Sequence, residues 1–183
     1  MTPGAGLAID YLANHRDLIP EITELIYGQW ADLFHASGTS KEKLRELLVE
    51  RAVTDKLPIA VVALSDGVLA GTGSIKLSEP GTKPGLSPWL AGMYVKDAYR
   101  GSGIGAAIVR ALEARAKELG VETMYLSVGA AEAFYRRLGW RVIERVNSYG
   151  VKEVAVMAKD LAVVGVRSQP DRNASTKDEQ ASL

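Results

Sequence analysis

Met93-Tyr94-Val95-Lys96-Asp97-Ala98-Tyr99-Arg100-Gly101-Ser102-Gly103-Ile104-Gly105-Ala106 is the stretch on which the fold turns. Before it, Trp89 to Val95 is a short apolar run of strand length. After it, Ile104, Ile108, Ala111, Leu112 and Leu119 recur on one side of a helix. Arg110, Glu113, Lys117 and Glu118 occupy the other side, and Gly120 is a candidate C-cap. A strand therefore runs through a glycine turn into a helix. The first amides of such a helix have no internal partners and carry partial positive charge. Glycines let the backbone approach an anion closely, and Arg100 can add a charge-assisted contact. Together these parts predict a diphosphate cradle. The spacing alone does not choose the ligand. Gly101 to Ala106 also fits the dinucleotide fingerprint G-x-G-x-x-G/A. A purely structural turn fits too, whereas a P-loop would need Gly-Lys-Ser/Thr next.

The flanking chain narrows the choice. Val121 to Ser127 reads as the strand after the helix, so it should run parallel to Trp89–Val95 through a right-handed crossover. Upstream, Leu57 to Leu64 and Val68 to Leu77 flank Asp66-Gly67, a hairpin signal. An antiparallel hairpin in that place argues against a doubly wound parallel sheet. Nor does Tyr125-Leu126-Ser127 supply an acid for a ribose. A loop rich in proline, Ser78 to Pro88, follows the hairpin.

At the start, Leu7 to Leu12 predicts a strand. Asp17 to Ala36 predicts one helix, with Leu18, Ile22, Leu25, Ile26 and Leu33 at helical spacing, Pro20 in its first turn and Gly38 as its stop. A second helix begins at Thr39, with Thr39 and Glu42 as a capping box and Leu44, Leu47, Leu48 and Ala52 as its apolar stripe. Ala130 to Leu138 reads as a short helix ended by Gly139. Trp140 to Val146 and Val151 to Ala158 read as a last hairpin around Asn147 to Gly150. The order β-α-α-β-β-β-α-β-α-β-β predicts an α/β (α+β) domain over residues 1–166 with a mixed, mostly antiparallel sheet. Arg167 to Leu183 is polar and reads as a disordered tail.

The 183 residues carry 22 Lys+Arg against 22 Asp+Glu. That balance argues against broad electrostatic binding of nucleic acid. The chain has no cysteine, which excludes disulfides and thiolate chemistry, and only His15 and His35. A metal site is not expected. There is no secretory pattern at the start and no membrane-length apolar run, so the cytoplasm is the expected location.

Tyr99 to Ala106 and the preceding Met93-Tyr94-Val95 resemble the acetyl-CoA motif of the GNAT N-acetyltransferase family, R/Q-x-x-G-x-G/A. Phe134-Tyr135, followed after three residues by Gly139-Trp140, resembles the second segment of that family. The likeness spans about residues 57–161. It implies a sheet splayed between Met93–Val95 and Val121–Ser127, with the pantetheine arm of acetyl-CoA paired to main-chain groups of Met93, Tyr94 and Val95. It implies that Arg100, Gly101, Ser102, Gly103, Ile104, Gly105 and Ala106 hold the pyrophosphate, with Phe134, Tyr135 and Arg137 beside the cofactor. An N–H near Met93 or Tyr94 would serve the thioester oxygen. The implied acceptor is a small-molecule amine or a peptide N-terminus, with homodimer formation common in the family.

Tyr135 occupies the family position of the general acid. A phenol of reference pKa about 10 stays protonated at neutral pH and can donate to a departing thiolate. Packing is its competing role. The base is unassigned, because Trp89 to Val95 lacks the carboxylate that many relatives carry there. Glu79 or a water chain are the alternatives, and Asp97 fits the turn better. Ser127 to Ala131 also lacks the Asn or Asp of many relatives, so cofactor contacts there would be main-chain. Trp30, Phe34 and Trp89 are candidates for an acceptor pocket or for core. The missing carboxylate leaves a second reading, a non-catalytic acyl-CoA sensor on the same fold.

Overall fold

The computed structural model describes residues 6–79, 82, 84–148 and 152–161. The polar segment 167–183 and the centre of the last turn lie outside them. Seven strands form one sheet in the order β1-β2-β3-β4-β5-β7-β6. They are β1 (Leu7–Tyr11), β2 (Ile59–Ser65), β3 (Val68–Lys76), β4 (Trp89–Val95), β5 (Thr123–Val128), β6 (Arg141–Ser148) and β7 (Lys152–Asp160). Every neighbouring pair is antiparallel except β4 and β5.

The predicted hairpin is present. Asp66 (φ 50°) and Gly67 (φ 79°) both take the left-handed conformation that a two-residue turn between twisted strands needs. β2 is apolar without alternation because both of its faces are covered. Ile59, Val61 and Ala63 join one core with α4 (Ile104–Glu118). Ala60, Val62 and Leu64 join the other, beneath α1 (Ile19–Gln29) and α3 (Lys41–Glu50).

Two expectations for the N-terminal helices are corrected. The single helix over 17–36 is broken at Trp30 (φ −123°, ψ 34°), which separates α1 from α2 (Ala31–Ser37). The break brings Phe34 back onto Tyr27, with ring centroids 5.2 Å apart and planes 2° from parallel. Trp30 and Phe34 pack on the α1–α3 core, so tertiary packing overrides the helical pattern. The cap of α3 is Ser40, not Thr39: its hydroxyl accepts the Lys43 N–H at 3.1 Å. A reciprocal box would need Glu or Gln where Lys43 stands. Downstream, the helix expected over 130–138 is one short piece, α5 (Glu132–Arg137).

Candidate active site

β4 and β5 share one registered pair, Trp89 opposite Tyr125, where the Tyr125 N–H donates to Pro88 O at 3.0 Å. Beyond it the strands part. Trp89 is 0% exposed, 5.7 Å from the Tyr125 ring, and its indole N–H donates to Leu86 O. Trp89 is thus core at the closed end of the gap, which corrects its candidacy for an acceptor pocket. Trp89 and Leu90 are buried, but Ala91 through Lys96 are all half-exposed. In the fourth of seven strands, such exposure marks an opening in the sheet.

A bulge shapes the edge of that opening. Ser74 faces Ala91 and Thr72 faces Tyr94, so Gly92 and Met93 together oppose Gly73. Gly92 has φ +59°, the left-handed position that glycine takes in such bulges. Met93 is thereby left out of the β3 register. Gly73 accepts the crowding. A Cβ there would stand 2.5 Å from Met93 Sδ and 2.7 Å from Ile108 Cγ2. Only a residue without a side chain lets Met93 and α4 close over the sheet at this point.

At the open end the chain turns into α4. Gly103 precedes the helix at φ +87°, and the Ser102 hydroxyl donates to Tyr99 O at 2.5 Å. The first α4 amide with a main-chain acceptor is Ala107, which donates to Gly103 O at 3.0 Å. The amides of Ile104, Gly105 and Ala106 have no acceptor among the described residues, and no acid stands in the first turn. The glycine turn from strand into helix thus stands where the sequence predicts it, with three amides left without a main-chain acceptor. Arg100 is engaged within the turn and keeps further donors exposed. Its Nε donates to Val95 O at 3.1 Å, its Nη2 pairs with Asp97 at 2.8 Å, and its guanidinium lies 5.9 Å from the Tyr94 ring centroid. Arg100 thus staples the turn, and Asp97 belongs to that turn.

α5 carries the second motif to the first. A Cβ on Gly105 would lie 3.4 Å from Phe134 Cζ, so Phe134 covers the start of α4. Tyr135 is 8% exposed, edge-on to Phe134 at 4.9 Å and to Trp140 at 6.2 Å. Burial pushes its phenol up to about 12. Glu132 holds α5 to β6 by pairing with Arg136 and Arg145, each at 2.8 Å. Those two arginines keep its carboxyl below the usual range. Arg137 is exposed and has no ion pair among the described residues.

Glu79 is bound by Lys76 at 2.8 Å, and β4 bears no carboxylate. His15 pairs with Asp10 at 2.9 Å, and His35 lies exposed at the end of α2, edge-on to Tyr27 at 6.0 Å. Among the described residues no group of three His, Asp or Glu could hold a metal, and no helix is long and apolar enough to cross a membrane. One charged residue escaped the sequence reading. Arg51, just past α3, is 9% exposed, and its Nη1 donates to Ser74 Oγ at 3.2 Å. Its spacing was the available signal, because Arg51 continues the buried stripe of Leu44 and Leu48.

The molecule is thus a mixed-sheet α/β protein whose central parallel pair parts beside a helix terminus with free amides. The single parallel pair excludes the doubly wound dinucleotide fold. Residues 20–140 match the Acetyltransferase (GNAT) family, and the chain belongs to that family. Solved structures share the fold. An aminoglycoside 6'-N-acetyltransferase complexed with coenzyme A is 19% identical with a TM-score of 0.67, covering 90% of this chain and 99% of that one. The YncA protein of Salmonella typhimurium with acetyl-CoA is 20% identical with a TM-score of 0.64, covering 91% and 99%. PaiA N-acetyltransferase from Thermoplasma acidophilum with coenzyme A is 20% identical with a TM-score of 0.62, covering 85% and 99%.

Proposed function

We propose that the protein transfers the acetyl group of acetyl-CoA to a primary amine by direct attack within a ternary complex. The observation that carries this reading is the row of free amides at Ile104, Gly105 and Ala106, set at the mouth of the β4–β5 opening. Acetyl-CoA would supply an activated acyl group as a thioester. The three amides, with Gly101, Ser102 and Gly103, face its diphosphate, and Arg137, exposed and without an ion pair among the described residues, adds a cation. Met93, Tyr94 and Val95 offer main-chain groups along the half-exposed edge of β4. The N–H of Met93 or Tyr94 is the donor for the thioester oxygen. Phe134 lines the same end, and Tyr135 donates a hydrogen bond to the departing sulfur.

No carboxylate stands on β4 to take the proton of the amine. The amine is therefore deprotonated through solvent in the half-exposed opening, and kcat/KM should rise with pH until the free amine predominates. Titration calorimetry with acetyl-CoA and CoA tests the reading, together with thiol release across an amine panel. Absence of binding by either nucleotide would sink it. Tight binding with no thiol release from any amine would instead support the acyl-CoA sensor, which the missing carboxylate favours.

A further inference from the structure

Arg51 is the one charged residue that is buried, at 9% exposure, among the described residues. Its main chain is fixed at both sides: its N–H donates to Leu47 O at 3.1 Å, and its carbonyl accepts the Ala60 N–H at 2.9 Å. The guanidinium has five donors. One is used, on Ser74 Oγ at 3.2 Å, and Ser74 in turn donates to Ala91 O at 3.1 Å. No described carboxylate lies within 4 Å of Arg51. Glu50 and Glu79 act on it from farther away, and Glu79 is already bound to Lys76 at 2.8 Å. A buried cation without a close anion costs several kcal/mol, and an apolar residue in this stripe would avoid that cost. The other donors are not sealed. The fully buried side-chain nitrogen or oxygen without a partner is Arg115 Nε, not an atom of Arg51.

The position of this cation matters more than its burial. The rung Ser74–Ala91 is the last before the Gly92–Met93 bulge. It therefore lies about 7 Å, two strand residues, from the main chain expected at the thioester. Ser74 and Ile26 stand 3.4 and 3.5 Å from where a Gly92 Cβ would project, so Arg51 works on the α1–α3 face of the sheet. With the donor beside α4 on the reading above, an acceptor entering from the opposite face would approach the side of the sheet that carries Ser74 and Arg51. We propose that Arg51, held by Ser74, binds a carboxylate of the acceptor, and that the acceptor is a short amino carboxylic acid. This rests on the N-acetyltransferase reading above.

The test is thiol release by the full chain with two matched acceptor sets. One set is the standard α-amino acids, β-alanine and γ-aminobutyrate; the other is their primary carboxamides. A charge-assisted hydrogen bond predicts that at least one acid is preferred on the order of 10- to 100-fold in kcat/KM over its amide. Arg51→Gln should bring that ratio towards one, chiefly through KM, and Arg51→Lys should restore part of it. If Arg51→Gln does not fold, the acid-to-amide ratio of the unaltered protein decides alone. Equal turnover of acids and amides would overturn this inference and leave the acetyltransferase reading standing. A preference that survives in folded Arg51→Gln would overturn the assignment to Arg51. Acetyl-CoA binding without thiol release from either set would overturn the acetyltransferase reading, and this inference with it.

Discussion

Tyr135 carries a phenol that burial keeps protonated to about pH 12. At neutral pH it is therefore a neutral phenol that can donate a hydrogen bond, not a phenolate base. Full proton transfer to a thiolate of reference pKa about 8.5 would cost about 5 kcal/mol. In the proposed reaction its contribution is a hydrogen bond that strengthens as charge grows on sulfur. Tyr135→Phe should lower kcat about 100-fold and leave the affinity for acetyl-CoA within a factor of two, read by thiol release and calorimetry. An unchanged kcat would return Tyr135 to a packing role. The same burial has a stability signature. The unfolded chain ionises this tyrosine from about pH 10, the folded chain only near 12. Its contribution is thus complete below pH 10 and is lost as pH rises through 12, by about 2–3 kcal/mol. Urea unfolding at stepped alkaline pH should show the parent losing that much more stability than Tyr135→Phe. Parallel curves would show that the phenol is not buried.

At the scale of elements, the bulge in β4 and the bare surface of Gly73 form one device. Gly73→Ala places a methyl group against Met93 Sδ and Ile108 Cγ2. It should cost about 1–3 kcal/mol through overpacking and weaken acetyl-CoA binding by moving Met93. Gly28→Ala is the matched control. It lies in α1 with nothing within 4 Å of the added carbon, and it should stabilise by about 0.5–1 kcal/mol. Thermal melts of the two variants should move in opposite directions.

The same scale shows what the chain makes legible. Asp66-Gly67, the β-α-β unit and the glycine turn are local chemistry, and each stands where its residues predict. Trp30 is different, because its break depends on what α1 packs against. Ser40 and Thr39 are neighbours of similar chemistry, and the cap that forms bonds a backbone N–H, which no side chain in the sequence marks. The Gly92–Met93 bulge is a property of pairing with Gly73, which no window within β4 contains. Arg51 was hidden by its type: an arginine at a helix end reads as solvated until the fold buries it. The open cradle was half legible. Its glycines are in the sequence, but the commitment of Arg100 to Asp97 and Val95 O is not.

For the whole molecule, the sheet is two blocks, β1–β4 and β5–β7–β6, that meet at a single registered pair. α4 spans them, and Glu113 on α4 is a bolt to the second block. It accepts the Trp140 indole N–H at 2.8 Å and Lys159 Nζ at 2.7 Å, and Lys159 also donates to Leu138 O at 2.7 Å. Glu113→Ala leaves both donors without their acceptor and should cost about 2 kcal/mol. For a chain of this size that is roughly 4–8 °C in Tm. Calorimetric melting would check it, and a loss under one degree would show that the blocks are held elsewhere.

The amides at Ile104, Gly105 and Ala106 belong to the peptide backbone, which every amino acid supplies alike. If these amides hold the acyl donor as proposed, a grip made from main chain asks little of side-chain identity, so a lineage can rewrite most of its residues without losing that donor. That fits a fold shared with solved structures at 19% and 20% identity. Divergence is then free to work on the opposite face of the sheet, where a single substitution at a position such as Arg51 would change what the protein acetylates without disturbing how it is supplied.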